Sequence, residues 1–318
     1  IDNMTIEETT FDTLRKLLLT DRDGVKGRED LKIPTLKEYI ATCKRYEKIA
    51  VLELKNEFDK EDIEKICDEI KELEYLESIV EINPLHGPPA ISGFKACKSV
   101  MPNIKHVGVF DTSYYSTMEE KAYIYPIPYE LYEKHKIRRY GYHGTSHKFI
   151  VQEAAKFLKK PVSKLNVVTC HMGNGSSFAA VKNGECVDTT MGLTPLAGLI
   201  MGTRCGDIDT AAVLSIMEAE KKTPAEMDAI LNKKSGLLAL TGSSDCRDIV
   251  SKAQKGDKMA ELALEMLAYR MALYIGAYNT VIGGADAIVM TGGIGEHSSE
   301  VRERIINRLG ALGIKIDK

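Results

Sequence analysis

The sequence predicts an α/β fold, and two segments with the same order of elements support this prediction. Residues 49–54 form a short apolar run, and the segment DKEDIEKICDEIKELEYL after it has Ile63, Ile66 and Ile70 at helical spacing. Near the other end, residues 287–290 form an apolar run that leads through glycines into a second helical pattern. A strand followed by an amphipathic helix is the building unit of parallel α/β sheets. With 318 residues, the chain is long enough for two domains.

The elements between these segments follow from apolar runs and turn residues. INPLHGPP at 82–89 is predicted to be irregular, because Pro84, Pro88 and Pro89 oppose regular helix. HVGVFDT at 106–112 predicts a buried strand that ends at Asp111, where α/β sheets commonly bind ligands. A helix is predicted from about Ser146.

The second half predicts a hairpin, a helical region and a closing strand and helix. Strands are predicted at 166–169 and 177–181, and Asn183-Gly184 is a turn into a third strand near Val187. Residues 210–280 are predicted to be mostly helical. A strand at 287–290, the turn TGGIGEHS and a last helix over SSEVRERIINRLGAL complete the prediction.

Composition excludes several classes of function. A formal net charge of -3 gives no signal for nucleic-acid binding. No apolar run approaches the roughly 20 residues of a membrane span, and no signal peptide opens the sequence, so no membrane partner is expected. The seven cysteines are odd in number and lack CxxC pairing, which predicts reduced thiols in a cytoplasmic protein.

Four glycine-rich segments predict a phosphate-handling enzyme. VVTCHMGNGSS at 167–177 is a strand that enters a turn with two glycines and two hydroxyls, and such turns let backbone N–H groups approach phosphate oxygens. The other three segments follow in the chain: MGTRCGDID, GSSDCRD and MTGGIGEHS. Neither GxGxxG nor a Walker motif occurs, which disfavours Rossmann and P-loop folds.

Each candidate residue has a simpler structural interpretation beside the functional one. Asp111 suits a turn or helix cap, or else a residue that orients a nucleophile or holds a metal. His143 and His147 are four apart, which allows packing, a hydrogen bond to a phosphoryl group or a zinc pair, although no third zinc ligand is evident. Arg204 either binds phosphate or pairs with a neighbouring aspartate such as Asp207.

Two further segments leave the same choice open. Asp245 and Arg247 either take part in a nucleotide site or form a solvated ion pair in a loop. His86, in a proline-rich loop, either has a functional role or bonds to backbone.

From about residue 82 to 318, these segments in this order resemble the acetate kinase family. The resemblance rests on the following segments: PLHGPP, VFDTSYYSTM, YELYEKHKIRRYGYHGTSH, TCHMGNGSS, VDTTMGLTPLAGLIMGTRCGDID, LNKKSGLLAL and GGIGE. It implies the actin-like ATPase fold of the sugar kinases and acetate kinases, with two α/β domains. It also implies a phosphotransferase that moves a phosphoryl group reversibly between ATP and acetate, with ATP/ADP and Mg²⁺ as cofactors and a homodimer as the assembly.

The resemblance assigns roles to residues of this sequence. Asp111 matches the catalytic aspartate, His143 and Arg204 match groups that stabilise the transferring phosphoryl group, and His86 matches a histidine on the acetate side. The remaining matches are to nucleotide and phosphate contacts. They are His171, Met172, Gly173, Asn174, Gly175, Asp245, Cys246, Arg247, Gly293, Ile294, Gly295, Glu296 and His297. No protein ligand of the metal is assigned, and His297 replaces the Asn usual in the family.

The sequence also departs from the family. The NxGSSSxK loop and the HRVVHGG segment of acetate kinases are absent here, as is the glutamate linked to the metal beyond LGIKID. Residues 1–81 instead resemble an interior, TIM-barrel-type fragment of a glycerophosphodiester phosphodiesterase, in which Glu53 matches a metal ligand and Lys55 lies close by. The predicted domains are therefore 1–81, a kinase remainder at 82–150 and a truncated nucleotide-binding domain at 151–318, and impaired catalysis is expected.

Three alternatives to acetate kinase activity remain. Propionate or butyrate kinase activity differs only in the carboxylate that the pocket accepts. A nucleotide-binding fragment without catalysis is the second alternative, and a metal-dependent glycerophosphodiesterase centred on Glu53 is the third.

Overall fold

A four-stranded sheet lies at the centre of the larger of the two units into which the chain divides. The computed structural model describes residues 52–54, 87–102 and 108–314. The larger unit comprises residues 53–91 and 109–318, and the smaller comprises residues 1–52 and 92–108. Within the described part of the smaller unit, Cys97 and Met101 form a small buried apolar cluster.

The central sheet combines an antiparallel meander with one parallel strand. Its strands are β3 (Val167–Met172), β4 (Ser176–Lys182), β5 (Glu185–Thr189) and β6 (Ala287–Thr291), in the spatial order β5-β4-β3-β6. The pairs β3/β4 and β4/β5 are antiparallel, whereas β6 runs parallel to β3. Two shorter strands, β1 (Leu52–Leu54) and β2 (Gly108–Phe110), form a second sheet. The α/β prediction is confirmed.

The two residues of the turn between β4 and β5 explain why these strands form a hairpin. Asn183 and Gly184 have φ values of 53° and 81°, the left-handed pair that a tight two-residue hairpin requires. The predicted turn and the strand near Val187 are therefore confirmed. A bulge between Ala180 and Val181 shifts the register of β4 against β5.

Helices cover the sheet and fill the region that the sequence predicted to be helical. The first four are α1 (Gly87–Val100), α2 (Glu120–Tyr123), α3 (Glu130–His135) and α4 (Gly144–Phe157). The next five are α5 (Thr210–Ala219), α6 (Pro224–Lys233), α7 (Gly236–Thr241), α8 (Cys246–Gln254) and α9 (Lys258–Val281). Two more follow β6: α10 (Gly292–His297) and α11 (Ser299–Ile306). Single 3-10 turns occupy Asp111–Tyr115, Val162–Lys164 and Gly310–Leu312.

The main hydrophobic core lies between the sheet and the long helix α9. Val168, Cys170 and Phe178 of the sheet are fully buried and belong to the same cluster as Leu264 and Met271 of α9. Within the described ranges, no helix combines the length and apolar character needed to cross a bilayer.

Two predictions about secondary structure are wrong. Helix α1 begins at Gly87, so Pro88 and Pro89 lie in a helix rather than in an irregular segment. Proline is tolerated in a first helical turn, because the N–H groups there have no partner within the helix. Likewise, residues 292–297 form the short helix α10 instead of a turn, and the helix after it ends at Ile306.

The predicted domain division stays a prediction. Its boundary after residue 81 lies outside the described residues, and its boundary after residue 150 falls within α4.

Candidate active site

The hairpin between β3 and β4 forms the base of the candidate site. Register pairs Met172 with Ser176, so residues 173–175 make the turn. The Gly173 N–H donates to the Gly175 carbonyl at 3.1 Å, and the Ser176 hydroxyl donates to the Gly173 carbonyl at 3.1 Å. The turn is thus closed by its own hydrogen bonds.

Gly202 brings a second segment against this turn. Its N–H donates to the Asn174 carbonyl at 2.9 Å. A Cβ atom at position 202 would lie 1.7 Å from Asn174 Oδ1 and 3.3 Å from the Cβ of Ser244. A larger residue at this position would require the Asn174 side chain to move, so glycine allows the segments that contain Arg204 and Ser244 to pack against the hairpin as they do here.

Arg204 is half-buried beside the turn. Its Nη1 donates to the Pro195 carbonyl at 3.2 Å and contacts the Met201 sulfur. Burial lowers the pKa of the guanidinium, with a smaller opposing effect of Tyr142. Among the described residues, no carboxylate oxygen lies within 4.0 Å of Arg204. A partly desolvated cation of this kind favours an anion as its partner.

The alternative in which Arg204 pairs with a neighbouring aspartate is therefore wrong for the described residues. Asp207 instead accepts from the Gly198 N–H at 2.7 Å and bonds the Tyr274 hydroxyl. Asp209 caps helix α5 by accepting from the Ala211 N–H at 2.9 Å.

His143 lies beside the same turn as Arg204. Its backbone is left-handed, with φ of 62°, at the N-terminus of α4. Its ring stacks on that of His171 with centroids 4.2 Å apart. A Cβ atom at Gly175 would lie 3.5 Å from His143 Nε2 and 3.4 Å from Arg204 Nη1. Gly175 therefore lies beside both an imidazole and a guanidinium, the two groups that the resemblance assigned to the transferring phosphoryl group.

Asp111 accepts hydrogen bonds from the backbone at the start of α4. It follows directly after β2 and is fully buried. Its carboxylate accepts from the backbone N–H of His143 and, at 3.3 Å, from that of Thr145. The side chain thus caps the helix and fixes the backbone that carries the His143 ring.

His147 is fully buried and neutral. Its Nδ1 lies 2.6 Å from Thr169 Oγ1 and its Nε2 lies 2.9 Å from Ser177 Oγ. Burial lowers its pKa to about 3, and the nearby His171 adds to this effect. Both ring nitrogens are engaged by hydroxyls, and no group of three metal-ligating side chains occurs among the described residues. The geometry thus disfavours the zinc pair that the spacing of His143 and His147 allowed.

The predicted nucleotide segments lie next to one another. Asp245 caps α8 through the Arg247 N–H at 2.9 Å, and Arg247 Nε donates to the same carboxylate at 3.0 Å. Hydrogen bonding from Arg247 is the largest of the effects that lower the pKa of Asp245. Cys246 is buried, which raises its thiol pKa to about 11 against the effect of a hydrogen bond with Ser298. Residues 245–247 therefore adjoin the end of α10.

Helix α10 is joined in turn to the hairpin. Gly292 has φ of 79°, and a Cβ there would lie 2.7 Å from the Met172 carbonyl oxygen. Gly295 adjoins the Met172 side chain, whereas Gly293, Glu296 and His297 are exposed. Met172 is thus the link between the hairpin and the segment that contains Gly293 to His297.

Sequence reasoning missed Ser146 and the supporting role of Ser177. The Ser177 hydroxyl lies 2.8 Å from His143 Nδ1, and the Ser146 hydroxyl lies 2.9 Å from His171 Nδ1. Hairpin register contained a usable signal, because Ser177 stands directly opposite His171 on the paired strand. His86 and the side chain of Glu53 lie outside the described residues, so their predicted roles stay predictions.

Comparisons with known proteins match one family. A family model described as the acetokinase family matches residues 56–318, beginning ahead of residue 82 where the quoted motifs start. The acetate kinase of Clostridium novyi is 52% identical over 256 residues, and that of Halothermothrix orenii is 50% identical over 254 residues. These alignments cover 80% of this chain but 64% and 63% of the relatives. This chain therefore spans less than two thirds of the length of these relatives.

Solved structures give the same result. A propionate kinase from Francisella tularensis has a TM-score of 0.79 at 38% identity, covering 89% of this chain and 73% of its own. The acetate kinase of Porphyromonas gingivalis has a TM-score of 0.79 at 36% identity, covering 94% and 79% respectively. Their actin-like ATPase fold confirms the fold that the motifs implied.

Proposed function

Because this chain belongs to the acetokinase family, we propose that it transfers a phosphoryl group reversibly between ATP and acetate, giving acetyl phosphate and ADP. The single observation that supports this most directly is that the His143 ring and the Arg204 guanidinium both lie beside Gly175. A transferring phosphoryl group carries charge on three equatorial oxygens, so it needs positive charge and hydrogen-bond donors rather than a covalent partner. The guanidinium and the imidazole supply both.

The other predicted residues have roles that this geometry suits. Asp111 acts as the catalytic acid-base or orienting group of the family and also fixes the His143 backbone. The hairpin at 171–175 binds phosphate oxygens. Residues 245–247 and 293–297 bind the nucleotide. For His86, which is outside the described residues, a contact with acetate is proposed from the sequence resemblance.

A divalent metal accompanies the nucleotide in this proposal, and Mg²⁺ is the metal that we propose. Mg²⁺ usually keeps several waters and binds through substrate phosphates with one or two carboxylates, rather than in a cage made only of protein groups. Asp111, Asp245 and Glu296 are the predicted site residues with carboxylates, the type of protein ligand that such a site uses. When bound, the ion would neutralise charge on the β- and γ-phosphates.

The proposal is tested by a coupled assay of ADP release with ATP, acetate and magnesium. Loss of one preorganised donor typically lowers kcat about 100- to 1,000-fold, and Arg204→Ala is expected to do so. Arg308→Ala is the matched control, since Arg308 is a surface cation that pairs with Glu265 and donates to the Arg304 carbonyl at 3.4 Å. Equal rates for Arg204→Ala and Arg308→Ala would remove Arg204 from the mechanism. Absence of transfer by the unaltered chain, with ADP binding retained in calorimetry, would favour a non-catalytic nucleotide-binding protein.

The same assay measures whether transfer is impaired in this chain, which stays a prediction. The comparison is the kcat of the Porphyromonas gingivalis acetate kinase, a structural relative. Equal values would contradict the expected impairment.

Propionate is a second candidate substrate, because one structural relative is a propionate kinase. A series of acetate, propionate and butyrate decides between them through kcat/KM. The glycerophosphodiesterase alternative requires hydrolysis of glycerophosphocholine that Glu53→Ala abolishes.

We also propose a homodimer, supported by an exposed apolar seam on α9. The seam consists of Met259, Leu262, Met266, Tyr269 and Leu273, which are spaced alternately by three and four residues. Their exposure ranges from 37% to 54%. This spacing is that of the a and d positions of helices that pair with another helix. The seam therefore suits a second copy of this chain.

The cytoplasm is the proposed location. The five cysteines in the described part of the chain, Cys97, Cys170, Cys186, Cys205 and Cys246, are all free. Reduced thiols are usual in that compartment.

A further inference from the structure

We propose that Ser177 and His147 are positioning residues that fix the tautomer of His143, so that its Nε2 carries a proton on the side of Gly175 and Arg204. This inference rests on the proposed phosphoryl transfer, because it assigns a supporting role within the same site. It concerns two buried side chains that do not border Gly175 themselves. They act through His143.

The hydroxyl of Ser177 lies between two imidazoles. Its Oγ is 2.8 Å from His143 Nδ1 and 2.9 Å from His147 Nε2, with the Tyr142 carbonyl at 3.4 Å. A hydroxyl has one proton to donate and two lone pairs to accept. Whichever imidazole donates to Ser177, the hydroxyl proton is left for the other imidazole or for the Tyr142 carbonyl.

The hydrogen bond between His147 and Thr169 determines which groups donate and which accept in these bonds. A neutral imidazole has one nitrogen that donates and one that accepts, and burial keeps His147 neutral by lowering its pKa to about 3. If Nδ1 carried the proton, it would donate to Thr169 Oγ1, and the Thr169 hydroxyl proton would then need another acceptor. Thr169 is fully buried, and no second acceptor for its hydroxyl occurs among the residues that the structure describes. A buried donor without a partner is costly.

Two arrangements remain, because the Ser177 proton can go to the Tyr142 carbonyl or to His143 Nδ1. The Tyr142 carbonyl already accepts from the Tyr115 hydroxyl and lies 3.4 Å from Ser177 Oγ, against 2.8 Å for His143 Nδ1, so the second arrangement is the one that we propose. Thr169 donates to His147 Nδ1, His147 Nε2–H donates to Ser177, and Ser177 donates to His143 Nδ1. With Nδ1 accepting, the proton of a neutral His143 is on Nε2. That atom lies 3.5 Å from where a Cβ of Gly175 would be, close to Arg204 Nη1.

Other elements hold the His143 ring in the same orientation. Its backbone N–H is held by the Asp111 carboxylate, and one ring face is covered by His171 at 4.2 Å. In the part of the chain that the structure describes, the charged or titratable groups near it include Asp111, His147, His171 and Arg204. Outer partners of this kind commonly orient an imidazole and fix its proton, and their loss typically costs 10- to 100-fold in activity at metal sites.

Nitrogen NMR of the histidine side chains tests the tautomer directly and needs no substrate. At pH 8.5, about two units above the ordinary histidine pKa of about 6.5, long-range ¹H–¹⁵N spectra distinguish a protonated from a bare ring nitrogen. His143→Gln identifies the His143 signals. We expect a bare Nδ1 and a protonated Nε2 in the unaltered protein, and a mixture of tautomers in Ser177→Ala. A proton on Nδ1, or on both nitrogens, of the unaltered protein would overturn the proposal, as would an unchanged tautomer in Ser177→Ala.

Thr189→Val is the matched control. Thr189 is also a fully buried strand residue, and its hydroxyl donates to the Phe178 carbonyl at 2.9 Å rather than to an imidazole. It is expected to leave the His143 signals unchanged. If Ser177→Ala does not fold, the spectrum of the unaltered protein alone still decides the proton's position.

Kinetics test the consequence for transfer. Ser177→Ala is expected to lower kcat about 10- to 100-fold with little change in KM for ATP, because the nucleotide contacts are untouched. Thr189→Val should retain the kcat of the unaltered chain. An unchanged kcat in Ser177→Ala would overturn the positioning role. Absence of any transfer by the unaltered chain would instead contradict the proposed function, while the NMR result would stand.

Discussion

The glycines of the candidate site show that a glycine in a sequence can predict a close approach of the backbone but not the group that it approaches. Gly173 and Gly175 predicted a close approach of the backbone to phosphate oxygens, which stays a prediction, and the structure shows which protein groups lie beside Gly175 and Gly202. Gly202 approaches the Asn174 side chain, whereas Gly175 approaches Arg204 and His143. Sequence spacing cannot identify these neighbours, because residues 143, 175 and 204 come together only through the tertiary fold.

Gly175→Ala tests whether the space beside Gly175 receives an anion. The added methyl group would meet Arg204 Nη1 at 3.4 Å and the His143 ring at 3.5 Å, which are ordinary contacts, so folding should persist. We expect kcat/KM to fall at least 10-fold, because the methyl group occupies space needed by a phosphoryl group. Steady-state kinetics and a thermal melt measure the two effects.

Gly276→Ala is the control for Gly175→Ala. Gly276 lies within α9, and a Cβ there meets no atom within 4 Å. Alanine in a helix interior is favoured over glycine by about 0.5–1 kcal/mol, so this variant should be slightly more stable and equally active. A similar loss of kcat/KM in both variants would contradict the steric argument.

His147 makes stability depend on pH. The unfolded chain binds a proton at His147 below about pH 6.5, whereas the folded protein binds it only near the lowered pKa of about 3. Between these values the unfolded state holds more protons, so the free energy of unfolding falls as pH falls, by up to about 1.4 kcal/mol per pH unit. His147→Gln removes this contribution.

Urea unfolding from pH 7 to pH 4 measures the effect. The stability of His147→Gln is expected to fall less steeply than that of the unaltered protein as pH decreases. His135→Gln, which changes an exposed histidine at the end of α3, should follow the slope of the unaltered protein. Parallel curves for all three proteins would show that His147 is not held neutral by the fold.

Secondary-structure elements were predictable where apolar periodicity and turn residues agreed. The β3–β4–β5 meander followed from two apolar runs and Asn183-Gly184, and the structure has it with nearly the predicted bounds. The predictions failed at helix starts rich in glycine or proline. Residues 87–89 and the glycines at 292 and 293 lie in first turns, where these residue types are tolerated because the N–H groups there are free of helical bonds.

Helix α10 depends on one side chain for its position. Arg302 Nη1 donates to the carbonyls of Gly295 and Glu296 at 2.9 and 2.8 Å. These carbonyls belong to the last turn of a six-residue helix that has little stability of its own. Arg302 thus anchors the segment predicted to bind the nucleotide.

Arg302→Ala is expected to weaken ADP binding about 10-fold, since hydrogen bonds from a charged group are worth roughly 1.5–3 kcal/mol. Titration calorimetry with ADP measures the change, and KM for ATP should rise with it while kcat changes less. Arg308→Ala, which changes a surface cation six residues further along the chain, should bind ADP normally. Unchanged affinity in Arg302→Ala would separate α10 from the nucleotide site.

At the scale of the whole molecule, the sequence pattern predicted the fold class but not the surface proposed for assembly. The α/β class followed from strand and helix periodicity, and the actin-like ATPase fold followed from the set of motifs. The exposed apolar seam on α9 was not predicted, because a helical sequence with apolar residues on several faces is normally interpreted as a buried helix. The structure shows that Leu264 and Met271 face the core while Leu262, Tyr269 and Leu273 face outward.

Leu273→Asp tests the proposed homodimer. A carboxylate within a paired apolar seam would be buried without a partner, so the dimer should dissociate. Light scattering after size-exclusion chromatography should give one chain mass for Leu273→Asp and twice that mass for the unaltered protein. Phe157→Asp is the control, because Phe157 is 86% exposed at the end of α4 and away from the seam. Dissociation by Phe157→Asp as well, or a monomer in the unaltered protein, would contradict the proposal.

The parallel pairing of β3 with β6 has a consequence for biosynthesis. Val167 pairs with Ala287, and five helices are encoded between the meander and β6. Until residue 291 has left the ribosome, one edge of β3 lacks its partner and presents unpaired N–H and C=O groups to other chains. The nascent polypeptide therefore carries its phosphate-binding hairpin with an open edge throughout the translation of those helices, the period in which aggregation or chaperone capture competes with completion of the sheet.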